Sequence, residues 1–288
     1  MIFENKIKEL SNYLITNNIK TQILGISGGL DSTVCAAICH EVSKQTGIPL
    51  IGRSLPTKYN KKEETTVADL VGKAFCDDFQ TFNIGNIYEN VLDELVETSE
   101  EQTPIANGNI QARLRMIYLY ILASIHKGLV IDTDNLTEYN LGFWTLHGDV
   151  GDYKPIGDLW KTEVFKLAEQ IRDWYGLHTH TYFYTDSQED IDRKMGNLYK
   201  AKAITESLKL KPTAGLGITN NDLEELGAES YEQVDEVLKD IISWKSLGGK
   251  TFEEYIKDYT ASEVSFNIPL EIVKNIARRH FNSEFKRK

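Results

Sequence analysis

Between Leu24 and Ala37 the chain reads LGISGGLDSTVCAA. Two adjacent glycines, the hydroxyls of Ser27, Ser32 and Thr33, and the carboxylate of Asp31 lie between two apolar runs. That pattern predicts a strand, a tight turn and the first turn of a helix. N–H groups at a helix start have no intrahelical partner and favour negative charge, so the junction suits a phosphate. The familiar loop G-x-x-x-x-G-K-[ST] reaches its phosphates with a lysine. Here Asp31 stands where that lysine would be. A carboxylate beside a polyphosphate is repulsive unless a cation lies between them, so Asp31 predicts Mg²⁺. The N–H groups of Gly28 and Gly29 and the three hydroxyls are then candidate pyrophosphate partners. A Gly-Gly turn with a Ser/Asp cap is the structural alternative, but the full conjunction is far more specific than a lone glycine motif.

The elements around the loop predict what positions it. TQILGI reads as a buried strand, preceded by a helix over 2–18 and followed by one from Ser32 to about Thr46. IPLIGRSLPT, DFQTFNI and LVIDT read as further strands. KKEETTVADLVGKAFC, residues 86–98 and residues 109–127 read as helices, the last closed by Gly128 as a left-handed cap. Strands alternating with helices predict an α/β fold: a doubly wound, mostly parallel sheet flanked by helices, in one domain over 1–288. Sites in such sheets sit beyond the C-terminal strand ends. The Ser27 loop and Thr133 both fall there. Farther on, GDLWKTEVFKLAEQIRDWYG reads as a helix, and SYEQVDEVLKDIIS opens with a capping box of Ser230 and Gln233. ETSEEQ, YTDSQEDIDRKMGN and TAGLGITNNDLEELGAES read as polar loops.

Composition narrows the function. The 288 residues carry a formal net charge of −11, which argues against nucleic acid as the main partner. Cys35, Cys39 and Cys76 form no Cys-x-x-Cys pair, which suits a reducing compartment. The longest apolar run, MIYLYILASI, is too short to span a bilayer, and the N-terminus does not read as a signal peptide. The expectation is a soluble, cytoplasmic protein with no membrane partner.

Ser-Gly-Gly-x-Asp-Ser-[Ser/Thr] resembles the pyrophosphate loop of the ATP pyrophosphatases that activate a substrate by adenylation. GNIQARLRMIYLY, DTDNLTE, GFWTLHGD, PIGDLWKTEVFKLA, KPTAGL, ELGAESYEQVDEVL and SEFKR follow in the order seen in NAD synthetases. The resemblance runs from residue 22 to the end of the chain. It implies that Gly25, Ile26, Ser27, Gly28, Gly29, Leu30, Asp31 and Ser32 bind ATP, and that Asp31 and Glu138 hold Mg²⁺. Thr133, Lys161 and Thr213 match ATP-side residues, and Asp31, Glu138 and Lys161 are the expected catalytic set. Lys161 would neutralise charge developing during adenylation. Arg113, Asp152 (across a one-residue gap) and Lys286 match residues that hold the dinucleotide. Three positions depart from the family pattern: Leu146 replaces a lysine, Phe285 replaces a histidine, and Asp132 replaces a glycine. Leu146 and Phe285 belong to the expected substrate pocket, with Lys154 and His147 as neighbours able to compensate.

The implied activity is ATP-dependent amidation of deamido-NAD to NAD with ammonia, releasing AMP and pyrophosphate from an adenylated intermediate. Only about twenty residues precede the first strand, so ammonia is expected as the direct nitrogen donor. The family forms homodimers, and the helix over 109–127, with Tyr118, Tyr120 and Ile121, is the expected contact. Amidation of nicotinate mononucleotide by the same chemistry is the nearest alternative. A tRNA-thiolation enzyme would need a nucleophilic cysteine and a basic face. A homologue without catalysis would have lost the metal carboxylates, which are present here.

Overall fold

A computed structural model describes residues 2–95, 103–177, 187–210, 222–262 and 268–287. Its strands are β1 (Thr21–Gly25), β2 (Leu50–Ser54), β3 (Asp78–Thr81) and β4 (Gly128–Ile131). They form one sheet in the order β3-β2-β1-β4, with every pairing parallel. The helices are α1 (Ile2–Thr16), α2 (Leu30–Thr46), α3 (Lys62–Phe75), α4 (Gly85–Leu95), α5 (Pro104–His126), α6 (Leu136–Leu141) and α7 (Lys161–Leu177). They continue with α8 (Gln188–Lys209), α9 (Asp222–Leu226), α10 (Tyr231–Ser246), α11 (Phe252–Ala261) and α12 (Leu270–Asn282), then a 3₁₀ turn at Glu284–Arg287.

The sheet is covered on both faces, as near-continuous apolar strands require. Ile23, Ile51 and Val130 cluster with Leu119 and Ala123 of α5. Leu24, Leu50, Leu129 and Ile131 cluster with Leu10 and Leu14 of α1 and with Val34 and Ile38 of α2. The doubly wound expectation therefore holds, and β1, flanked by β2 and β4, aims its C-terminal end at the glycine loop. A third apolar cluster joins Leu141 of α6, Val237 and Ile241 of α10, Tyr255 of α11 and Ile276 of α12. Through α6 and α10 this helical layer packs on α7 beside the sheet.

Four local expectations change. Within TAGLGITNNDLEELGAES, expected as a loop, Asp222–Leu226 form α9. The polar stretch 184–197, expected as a loop, is helical from Gln188 onward. Ser187 caps it by accepting the Asp190 N–H at 3.2 Å, and Glu189 and Asp190 favour its N-terminus. Most of its buried apolar residues (Ala201, Ala203, Ile204) come late, so the first half carries little helical periodicity to read. At the end of α5 it is Lys127, with φ 51°, and not Gly128 that takes the left-handed position. Gly128 begins β4, where a Cβ would lie 2.6 Å from the Thr21 carbonyl oxygen. Ser230 makes no side-chain cap bond, and Gln233 instead accepts from the Glu229 N–H at 3.0 Å. The ETSEEQ stretch and the last residues of the helix expected over 86–98 lie outside the described residues.

The helical layer is closed by bonds to the C-terminal carbonyls of α6. His280 lies 3.0 Å from the Asn140 carbonyl through Nδ1, which therefore carries the proton. Burial lowers its pKa from 6.5 to about 4, with the charges of Arg287 and Lys245 acting the same way. The folded state thus favours neutral imidazole, and its stabilisation is full above about pH 6.5 and lost as pH falls toward 4. The loss amounts to up to about 3 kcal/mol. Calorimetric Tm measured from pH 7.5 to 4.5 is expected to fall less steeply in His280→Asn, which keeps a donor near Nδ1, than in wild type. Equal slopes would remove His280 from the acid sensitivity.

Candidate active site

The loop after β1 is folded by its own hydroxyls. Ser32 Oγ and Thr33 Oγ1 donate to the Gly29 carbonyl at 3.0 and 2.9 Å, and Ser27 Oγ accepts from the Gly29 N–H at 3.2 Å. Gly28 has φ +87°, and a Cβ there would lie 2.4 Å from the Glu64 carbonyl oxygen of α3. Only glycine fits, because both the left-handed backbone and the close approach exclude a side chain. The loop is thus pressed against α3 while the first turn of α2 opens into a cavity of about 700 Å³. Gly25, Ile26, Ser27, Gly29, Leu30, Asp31 and Ser32 all line that cavity.

Three charged groups from three elements meet at its base. Asp31 comes from the first turn of α2, Glu138 from α6, and Lys161 is the first residue of α7. Lys161 Nζ donates to Asp31 Oδ2 and, at 3.1 Å, to Glu138 Oε1. The lysine side chain is only 3% exposed. Asn135 ties the carboxylates together: its Nδ2 donates to Asp31 Oδ1 at 2.9 Å, and its Oδ1 accepts the Glu138 N–H at 3.0 Å as the cap of α6. Asp235 of α10 sets the helix starts. It accepts from Thr137 Oγ1 at 2.5 Å and from the Thr162 N–H at 3.0 Å, while Thr137 Oγ1 accepts the Lys161 N–H at 2.8 Å.

Electrostatics follow from this burial. Burial raises Glu138 to about 7, with Asp31 and Asp222 adding to the rise and Lys161 opposing it. Burial by itself would lower Lys161, but the charges of Asp31 and Glu138 outweigh it and keep the ammonium protonated. Asp222 is likewise raised by burial against Lys161, and Tyr231 donates to its Oδ2 at 3.3 Å. Among the described residues no group of three or more His, Cys, Asp or Glu could hold a metal alone. Two carboxylates already holding one cation do fit Mg²⁺, whose remaining positions are ordinarily filled by water and substrate phosphates.

Thr133, expected on the ATP side, and the expected substrate residues divide. Thr133, Phe285 and Lys286 line the cavity, whereas Arg113, Leu146 and Asp152 do not. Arg113 is exposed and donates to the Leu146 carbonyl at 3.2 Å. Asp152 accepts from Tyr120 Oη at 3.0 Å and from the Val130 N–H at 2.8 Å. Lys286 Nζ donates to the carbonyls of Gly142 and Trp144 at 2.7 and 2.5 Å, so it caps the end of α6. Asp132 is explained by Lys154, whose Nζ lies 3.1 Å from Asp132 Oδ2 and 3.4 Å from Asp134 Oδ2. The Asp132 carboxylate also accepts the Asp134 and Gly151 N–H groups, both at 2.8 Å. Thr213 lies outside the described residues.

The cavity also holds residues that sequence reading passed over. Arg115 lines it, held by the Leu55 carbonyl at 3.0 Å and Asn60 Oδ1 at 3.3 Å. It sits two residues beyond Arg113, about 200° around the helix, so helical phase was the available signal. Asp134 and Asp222 also line the cavity, and burial raises both, Asp134 with further help from Asp132 and Glu138.

A parallel α/β sheet with a glycine loop at a helix N-terminus, a buried carboxylate–ammonium–carboxylate cluster and a deep cavity defines a phosphate-handling α/β enzyme. The family described as NAD synthase matches residues 2–288, and the chain belongs to it. The NH(3)-dependent NAD(+) synthetase of Thermoplasma acidophilum is 31% identical over 265 residues, covering 88% of this chain and 91% of its own. That of Methanosarcina acetivorans is 30% identical over 290 residues, covering 99% and 94%. Two solved structures share the fold. NMN synthetase from Francisella tularensis has a TM-score of 0.70 at 24% identity, covering 100% of this chain and 94% of that one. Glutamine-dependent NAD+ synthetase from Acinetobacter baumannii, in complex with adenosine diphosphate, has a TM-score of 0.59 at 20% identity, covering 96% of this chain and 43% of that one.

Gly28→Ala tests the loop. A Cβ at a left-handed position costs about 1–3 kcal/mol before the clash with Glu64 is counted. A lower Tm together with at least tenfold weaker ATP binding by calorimetry, roughly 1.4 kcal/mol, is the expected outcome. Unchanged ATP affinity would show that the loop geometry is not what binds nucleotide.

Proposed function

We propose that this protein amidates deamido-NAD to NAD with ATP and ammonia, releasing AMP and pyrophosphate. The observation that carries the reading is the convergence of Asp31, Glu138 and Lys161 under the glycine loop, in a chain of this family. A carboxylate is a poor electrophile because its oxygen is a poor leaving group. Attack of the nicotinate carboxylate on the α-phosphorus of ATP makes a mixed anhydride and expels pyrophosphate. Ammonia then attacks the acyl carbon, AMP leaves, and the amide remains. The glycine loop and the first turn of α2 bind the polyphosphate through backbone N–H groups. Asp31 and Glu138 would hold Mg²⁺, which supplies charge neutralisation for the leaving pyrophosphate. Lys161 offers a positive charge in a dry wall, where it is worth more than in water. No covalent enzyme nucleophile is needed, so the chain contributes positioning and charge.

We further propose that the protein works as a homodimer through α5. Ile117, Ile121 and Ile125 repeat every four residues along that helix and are all exposed. Arg113, exposed on the same helix, then has a route to substrate near the interface. Among the described residues no helix is long and apolar enough to cross a membrane.

Three experiments test these readings. Incubating the protein with ATP, Mg²⁺, NH₄⁺ and deamido-NAD should yield NAD, AMP and pyrophosphate by mass spectrometry. Asp31→Asn should slow pyrophosphate release on the order of 10³-fold. Turnover of nicotinate mononucleotide in place of the dinucleotide would change the substrate. Pyrophosphate release within tenfold of wild type in Asp31→Asn would remove the metal role. Sedimentation should give wild type twice the chain mass and Ile121→Glu the single mass; a monomeric wild type rejects the dimer.

A further inference from the structure

Lys161 is doubly placed. Its ammonium lies between Asp31 and Glu138, where a divalent cation held by the same two carboxylates would also lie. The two cations cannot share that point, since like charges at contact in a dry site repel strongly. The ammonium also lies over the ring of Tyr231, 5.6 Å from the centroid. The Tyr231 hydroxyl donates to Asp222, and Asp222 lines the same cavity. Asp222 and Lys161 interact electrostatically, both in buried settings. The backbone of Lys161 is fixed by Thr137, but its four-carbon stem can swing.

We infer that Lys161 exchanges between two seats, and that Asp222 with Tyr231 forms the second. With no metal bound, the ammonium neutralises Asp31 and Glu138 and keeps the facing carboxylates from repelling. Metal entry takes both carboxylates and expels the ammonium. A charged amine cannot be left in an apolar wall. The Asp222 carboxylate and the Tyr231 ring receive it, through an ion pair and a cation–π contact. The lysine stays charged and inside the cavity, where it can face the phosphates. Asp222 is then a positioning residue for Lys161, not a ligand of the ion. This inference rests on the metal reading of Asp31 and Glu138 given above.

Direct binding of Mn²⁺ to the nucleotide-free protein, read by electron paramagnetic resonance, tests it without turnover. Lys161→Gln, which leaves the carboxylates without a competing charge, is expected to bind Mn²⁺ at least about tenfold more tightly than wild type. Lys161→Arg, which keeps the charge, is not. Asp222→Asn is expected to weaken Mn²⁺ binding when Lys161 is present and to have no effect in the Lys161→Gln background. Two results overturn the inference: no tightening in Lys161→Gln, or equal weakening by Asp222→Asn in both backgrounds, which makes Asp222 act on the ion itself. If Lys161→Gln does not fold, the lysine ¹⁵Nζ resonance of wild type, identified by its absence in Lys161→Arg, decides. It should shift on adding Mg²⁺, and an unmoved resonance overturns the exchange. The amidation assay is read separately. Absent amidation with the Mn²⁺ pattern intact rejects the proposed function and leaves the exchange standing, and the reverse result rejects only the exchange.

Discussion

One buried ammonium, Lys161, holds two carboxylates that would otherwise repel each other, and the site is organised around that contact. Asp31 belongs to the strand–loop–helix unit of the sheet, and Glu138 to the short helix after β4. Lys161 starts the helix that joins the sheet to the helical layer. A charge this buried is tolerated only with its partners and hydrogen bonds in place, and removing one partner alone costs several kcal/mol. The surrounding polar groups meet that demand. Asn135 bonds both carboxylate-bearing segments, and Asp235 pins the starts of α6 and α7. The fold thus delivers three side chains from three elements to one point at the C-terminal edge of the sheet.

The far wall of the cavity is built by a different device. α6 ends at Gly142 with φ +68°, and its last carbonyls are met by donors from the C-terminal segment. Arg279 donates to Leu141, His280 and Arg287 to Asn140, and Lys286 to Gly142 and Trp144. Cationic groups at a helix C-terminus are favourable for the carbonyl ends they approach. The same tail places Phe285 on the cavity rim. The Asp132 carboxylate is neutralised by Lys154, and neither of the two residues lines the cavity.

The cavity wall made by the glycine loop was legible because its chemistry is local. The glycines, hydroxyls and carboxylate of 25–33 sit in one turn, and their types alone called for a phosphate and a cation. The parallel sheet was legible from the alternation of short apolar runs with helical ones. What escaped were groups whose role comes from partners far along the chain. Asp235 acts on Thr137 across 98 positions, and Lys286, expected only as a dinucleotide residue, also bonds the Gly142 carbonyl across 144. Arg115 was overshadowed by Arg113 because a motif match is blind to helical phase. The first half of α8 escaped because its polar residues show no apolar period.

The proposed chemistry is activation of a carboxylate at the α-phosphorus of ATP. Deamido-NAD labelled with ¹⁸O in its nicotinate carboxylate puts it to the test. If carboxylate oxygen attacks the α-phosphorus and ammonia later displaces AMP at the acyl carbon, one ¹⁸O per turnover appears in AMP and none in pyrophosphate. Label in inorganic phosphate or pyrophosphate, or an AMP free of label while NAD is formed, would contradict it.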